Sequence, residues 1–96
     1  MTYDDFIAFL DSSTCPSTLD SYQRALWYEA KDNWDKAHNI VQAMDDTTAA
    51  RIHAYLHRVE GDDWNSQYWH RQAGTEFPDH LSLEEEWYML VKQLTE

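Results

Sequence analysis

One helical pattern occurs twice in the chain, as YEAKDNWDKA at residues 28–37 and as HRVEGDDWNS at residues 57–66, 29 residues later. Each copy joins the end of a helical pattern to the start of a second one through a short polar break. A period of about 20–50 residues is typical of helical-repeat proteins. The duplication therefore predicts paired helices and favours a binding function over catalysis.

Apolar residues elsewhere recur at helical spacing, and no stretch alternates as a strand would. With only two glycines and two prolines in 96 residues, a loop-rich or all-β fold is disfavoured. The length suits one domain. The sequence predicts an all-α domain over residues 1–96 with about five helices, namely one hairpin at about 18–44, a second at about 47–74, and capping helices at about 3–11 and 82–95.

Helix starts are marked by residues that cap the first turn. Thr2 and Ser82 each precede an acidic residue by three positions, and Ser82 with Glu85 matches a capping box. Ser17 is the expected cap of the second helix. The run 84–86 of three glutamates is interpreted as a solvated helix start, which the helix dipole favours.

The net charge is −11, from 18 acidic and 7 basic residues. Such a field repels nucleic-acid phosphates and anionic membranes, so neither is an expected partner. The favoured interpretation is that this charge keeps the protein soluble. The alternative is that the acidic surface docks onto a basic partner. Because Cys15 is the single cysteine and the first residues resemble no signal peptide, a cytoplasmic location is expected.

The second copy carries residues that resemble the tetratricopeptide repeat. After the acidic-glycine turn at 60–62, small residues at Ser66 and Ala73 flank the Trp69-His70 aromatic pair, and Pro78 follows where that family often ends a repeat. In the first copy, Ala25, Tyr28, Ala37 and Met44 stand in the places of Ala54, His57, Ser66 and Ala73, and Asp32 replaces the turn glycine. The resemblance implies paired helices that approach closely at small residues. Because Trp69 shares a helical stripe with Ser66 and Ala73, it is predicted to lie in the core.

A second, narrower resemblance covers residues 53–62 and 68–74. The segments HAYLHRVEGD and YWHRQAG are similar to a family of small uncharacterised bacterial proteins. This resemblance implies no activity.

The same hairpin contains a candidate metal-ligand set. His53 and His57 are four residues apart, so a helix places them on one face, and Glu60 continues that stripe. His70 on the next helix offers a fourth donor of the kind that zinc prefers. The HExxH signature is absent because Ala54 follows His53. Packed, hydrogen-bonded histidines are the favoured interpretation, and a metal site is the alternative.

Aromatic and cationic residues are concentrated in the second hairpin. Tyr68 and Arg71 lie off the expected core stripe, with His57 and Arg58 near the rim of the same surface. Aromatic residues and arginine are enriched at binding hot spots. These four residues form the predicted partner-binding surface, and simple packing of a small domain is the competing interpretation.

The leading hypothesis is a small helical-repeat module that binds a protein or peptide, with exposed end faces that also leave room for a homodimer. One alternative is a metal-dependent or small-molecule binder or enzyme that uses the histidine-rich hairpin. Another is an acidic inhibitor or immunity-type protein. No catalytic motif is present and no cofactor is expected, so the chain is not predicted to be an enzyme.

Overall fold

The computed structural model describes residues 1–96 and contains α-helices joined by short connections, with no strands. The helices are α1 (Tyr3–Ala8), α2 (Ser21–Ala30), α3 (Trp34–Gln42), α4 (Thr47–Val59), α5 (Asp63–Ala73) and α6 (Leu83–Gln93), and one 3-10 turn spans Phe9–Asp11. The all-α prediction is confirmed, with six α-helices instead of about five. None of the helices is both long and apolar enough to cross a membrane.

Local capping chemistry determines where the helices begin. The predicted capping boxes of Thr2 and Ser82 are both formed. The prediction for the second helix is wrong, because Asp20 replaces Ser17 as its cap. The Asp20 carboxylate accepts from the Gln23 backbone N–H at 2.8 Å, and the Gln23 side chain accepts from the Asp20 N–H at 3.0 Å. This reciprocal pair satisfies two backbone donors that the helix leaves free.

The turns after α2 and α4 have the same backbone geometry. Asp32 has a φ of 64° and Gly61 a φ of 84°, both in the left-handed region. The next residue in each turn donates its N–H five residues back, from Asn33 to the Tyr28 carbonyl at 2.8 Å and from Asp62 to that of residue 57 at 2.9 Å. The two copies of the sequence pattern therefore fold into equivalent turns although only one has glycine.

The core lies around α4, which contacts α2, α3, α5 and α6. Eight of its thirteen residues are buried. Burial of this apolar surface is the main favourable contribution to folding. The buried hydrophobic cluster comprises Phe6, Leu19, Ala25, Leu26, Trp27, Ala37, Val41, Ala49, Ile52, Tyr55, Leu56, Leu90 and Val91.

Small residues lie where neighbouring helices approach each other. Ala25 on α2 and Ala37 on α3 are fully buried, and α2 packs against α3. Between α4 and α5, the buried Ser66 hydroxyl donates to the Ala54 carbonyl at 2.7 Å. The short side chain therefore allows close approach, and its polar atom is satisfied by the neighbouring helix. Trp69, predicted for the core, is half-buried instead.

We predict that Gly61→Ala lowers the free energy of unfolding by about 1 kcal/mol, because an L-residue with a side chain is strained at positive φ. A β-carbon at Gly61 would contact nothing within 4 Å, so crowding adds no cost. Gly61→Asp should lower the free energy of unfolding by less, since aspartate tolerates positive φ, as Asp32 shows in the equivalent turn. Urea unfolding measures both variants, and equal losses for Ala and Asp would contradict the prediction.

Candidate functional site

An open apolar groove of about 930 Å³ lies among α1, the ends of α2 and α4, and the first turns of α6. It is large enough to hold several side chains of a partner. Its lining is mostly hydrophobic and comprises Tyr3, Leu10, Glu29, Ala30, Tyr55, Val59, Leu81, Leu83, Glu84, Glu85, Trp87, Tyr88 and Met89. The sequence pattern did not predict this groove, because its residues come from four separate segments.

Two large apolar side chains at the groove remain in solvent. Leu83 is 39% exposed and Tyr88 is 50% exposed. Tyr88 makes an edge-to-face contact with Tyr3 at 5.0 Å between ring centroids, which leaves much of its ring uncovered. Contiguous exposed apolar surface of this kind marks interaction sites on proteins.

A carboxyl group lies among these apolar side chains. Burial raises the pKa of Glu29 to about 7, and the neighbouring Tyr55 hydroxyl opposes part of that rise. Burial, followed by the charge of Glu29, raises the pKa of Tyr55 as well. A carboxyl that is costly to ionise gains most from a partner that supplies a positive charge or a hydrogen-bond donor.

The predicted partner-binding residues separate into two environments. Tyr68 and Arg71 face solvent, with the Arg71 guanidinium 5.9 Å from the centre of the Tyr68 ring. His57 is only 8% exposed and bonds Glu60 through Nδ1 at 2.7 Å. Arg58 is turned towards a carboxylate inside the protein. Tyr68 and Arg71 are thus the two of the four whose polar ends are free for a partner.

Three histidines converge between α3 and α4. One ring nitrogen from each of His38, His53 and His57 lies within 4.8 Å of the others. The Nε2 atoms of His38 and His53 are 2.9 Å apart, at hydrogen-bond distance. The predicted set contained His53, His57 and Glu60 but not His38, and its fourth member, His70, lies outside the cluster. His38 follows the small residue Ala37 on α3, which is the available clue that it faces α4.

Tryptophans cover two sides of this histidine cluster. Trp34 stacks on His38 with ring centroids 4.8 Å apart, and Trp69 stacks on His53 at 3.9 Å. Burial, with added repulsion from neighbouring histidines, lowers the pKa of His38 and lowers that of His53 to about 3. Both rings are therefore neutral at neutral pH and keep a lone pair for a proton or a metal.

A buried carboxylate connects α6 with α4. Glu86 has no exposed surface, and its two oxygens lie 2.7 Å from an Arg51 nitrogen and 2.8 Å from an Arg58 nitrogen. The interpretation of 84–86 as a wholly solvated helix start is wrong at this third glutamate. The physical reason is that α4 brings two guanidinium groups to it, which compensate the loss of water.

His70 lies close to Glu86 and its two arginine partners. Its Nδ1 atom is 2.8 Å from the Thr75 hydroxyl, and its ring is 2% exposed. Burial, and then the positive charge of Arg51, lowers the pKa of His70 to about 4. His70 is therefore a neutral, buried residue.

Comparison of the chain with protein-family models, with curated proteins and with solved structures found no match. The groove and the histidine cluster are the two features from which a function can be inferred.

We predict that Glu86→Gln lowers the free energy of unfolding by about 3 kcal/mol, because it leaves two partly buried guanidinium groups without their counter-charge. Glu84→Gln is the matched control, since Glu84 is exposed on the same helical turn, and it should change stability little. Chemical denaturation of both variants is the measurement. A loss shared equally by the two would contradict the assigned role of Glu86.

We predict that His70 contributes to acid instability. Its pKa in the folded state is below the ordinary value of about 6.5, so the unfolded chain takes up the proton first as pH falls. Stability from this group is present above about pH 6.5 and is lost towards about pH 4. His70→Gln should reduce the drop in unfolding free energy between about pH 7 and about pH 4.5 by about 2 kcal/mol.

His80 provides the control for this measurement, because it is exposed. His80→Gln should leave the pH dependence of unfolding as it is in the parent protein. A His70→Gln profile that superimposes on the parent profile would show that His70 does not carry this proton linkage.

Proposed function

We propose that the protein is a binding module whose groove binds an amphipathic, basic segment of a partner protein. The observation that carries the proposal is the Glu29 carboxyl inside an apolar groove that leaves Leu83 and Tyr88 exposed. An apolar surface with one inward carboxyl suits a segment that presents hydrophobic side chains beside a lysine or arginine.

The apolar part of the groove supplies affinity. Burial of exposed apolar area gives about 25 cal/mol per Å², and large apolar and aromatic residues form good anchors in a partner's pocket. Amphipathic helices bind to such grooves through side chains on one face. Leu83 and Tyr88 belong to the same helix, so a partner segment that follows α6 can contact both.

Charge determines which segment fits. Glu29, Glu84 and Glu85 are the acidic residues of the lining, and a hydrogen bond from the Ser82 backbone N–H lowers the pKa of Glu85. A cationic side chain placed against Glu29 would favour its ionised form and gain from it. A second copy of the chain would bring another net charge of −11, so a basic partner fits better than a homodimer.

The repeated turns support the same function. The α2–α3 and α4–α5 pairs share turn geometry and close approach at small residues, and we interpret them as two tetratricopeptide-like hairpins flanked by α1 and α6. Helical-repeat proteins use their extended surfaces for binding. Within this proposal the protein acts in the cytoplasm, and an inhibitor of a basic partner is a special case of the same recognition.

The test selects random linear peptides against the immobilised protein and measures the enriched peptides by fluorescence anisotropy. We expect sequences with apolar residues at helical spacing and at least one lysine or arginine. Leu83→Ala with Tyr88→Ala should weaken binding by about 10-fold or more, because anchor contacts are lost. Glu29→Gln should weaken binding and reduce its dependence on salt.

The double variant Tyr68→Ala, Arg71→Ala is the matched control, because it also truncates two large exposed side chains, but on the other candidate surface. It should bind the selected peptides as the parent protein does. Loss of binding in this variant, with binding retained when Leu83 and Tyr88 are replaced, would move the site to α5. Peptides without basic residues would contradict the proposed partner chemistry.

A further inference from the structure

We infer that His38, His53 and His57 form a binding site for a single zinc ion, which joins α3 to α4. The site is separate from the groove, whose lining contains no histidine. Three nitrogen donors and one solvent molecule would complete the four ligands that zinc takes in an open site.

The positions of the donors fit this geometry after small adjustments, with the His38 and His53 nitrogens moving slightly apart and His57 approaching them. Zinc binds imidazole nitrogen at about 2.0–2.1 Å, which places tetrahedral donors roughly 3.3 Å apart. The Nε2 atoms of His38 and His53 are now 2.9 Å apart, and the three donor nitrogens lie within 4.8 Å of one another. His53 and His57 are one turn apart on α4, so small rotations of their rings can direct both lone pairs to the same side, towards His38 on α3.

Binding of the ion replaces the hydrogen bond between His38 and His53. In that bond one Nε2 carries a proton and the other accepts it, so one of the two rings must move its proton to Nδ1 before both Nε2 atoms can bind zinc. Both rings remain neutral throughout. After this change of tautomer, two lone pairs converge from neutral rings, which is what a metal ligand set requires.

A second contact orients His57. The Glu60 carboxylate lies 2.7 Å from Nδ1 of His57, so the other ring nitrogen remains for the metal. Carboxylates that bond the outer nitrogen of a histidine ligand fix its tautomer and orientation. Asp62 is also near His57 and Glu60, but its carboxylate already caps α5 through the backbone and side-chain amides of Asn65. We assign Glu60, and not Asp62, as the supporting residue.

The side chains around the site restrict rotation of the histidine rings and leave one side of the site open. Trp34 and Trp69 stack on His38 and His53, which restricts how far either ring can turn. Trp34 is itself held by a 2.6 Å hydrogen bond from its Nε1 to the Leu56 carbonyl. His38 is half-buried, whereas the other two histidines are buried, so the ion and its solvent ligand would enter from the His38 side.

The experiment uses tag-free full-length protein treated with a chelator and then titrated with Zn²⁺ by isothermal calorimetry at neutral pH. We expect one ion per chain with a dissociation constant in the micromolar range or below. Excess Zn²⁺ should also raise the thermal midpoint by about 10 °C, because the ion binds the folded state. No heat of binding and no thermal shift would overturn the proposal.

Variants identify the ligands. His38→Gln and His53→Gln should each weaken Zn²⁺ binding by about 100-fold, and Glu60→Gln by about 10-fold through the loss of orientation. His38→Gln changes a half-buried residue, so it remains informative if His53→Gln fails to fold, and circular dichroism checks both. The two histidines outside the cluster, His70 and His80, supply matched controls.

His70→Gln and His80→Gln should bind zinc as the parent protein does. Zinc binding that survives in His38→Gln, or that is lost in His80→Gln, would contradict the assigned ligands. Binding of Cu²⁺ or Ni²⁺ without Zn²⁺ would overturn the choice of ion.

Discussion

The pairing of Glu86 with Arg51 and Arg58 fixes where α6 lies on the rest of the molecule. The Glu86 carboxylate has no exposed surface, and each of its two oxygens contacts a different arginine of α4. A buried charge is tolerable only with such partners. Since the first turns of α6 form one wall of the groove, the shape of the proposed binding surface depends on this contact between two helices.

The features that the sequence predicted well are those that neighbouring residues determine. Caps at Thr2 and Ser82 and the turn at Gly61 each depend on contacts within about five residues, so the pattern identifies them directly. The same approach chose Ser17 over Asp20, because both are good caps and local chemistry does not rank them. The burial of Glu86 could not be predicted for another reason, because its arginine partners are 28 and 35 residues away along the chain.

In the candidate sites too, relations between nearby residues could be predicted and relations between distant residues could not. His53 and His57 could be grouped from their spacing alone, because a helix fixes their relation. His38 comes from α3, and His70 lies on α5 outside the cluster, so neither placement could be predicted without knowing how the helices pack. The groove went unpredicted because its walls belong to α1, α2, α4 and α6, which meet only after the chain has folded.

Helix α5 is attached to the protein in an unusual way. Its buried residues are Ser66 and His70, both polar, and it supplies no side chain to the hydrophobic cluster. Opening of α5 would therefore withdraw no side chain of its own from that cluster, and segments with few buried apolar contacts open at a lower free energy than the core. Since Trp69 covers His53, transient release of α5 would uncover that side of the histidine cluster, so opening of the helix would give solutes a second route to these side chains besides the open side at His38.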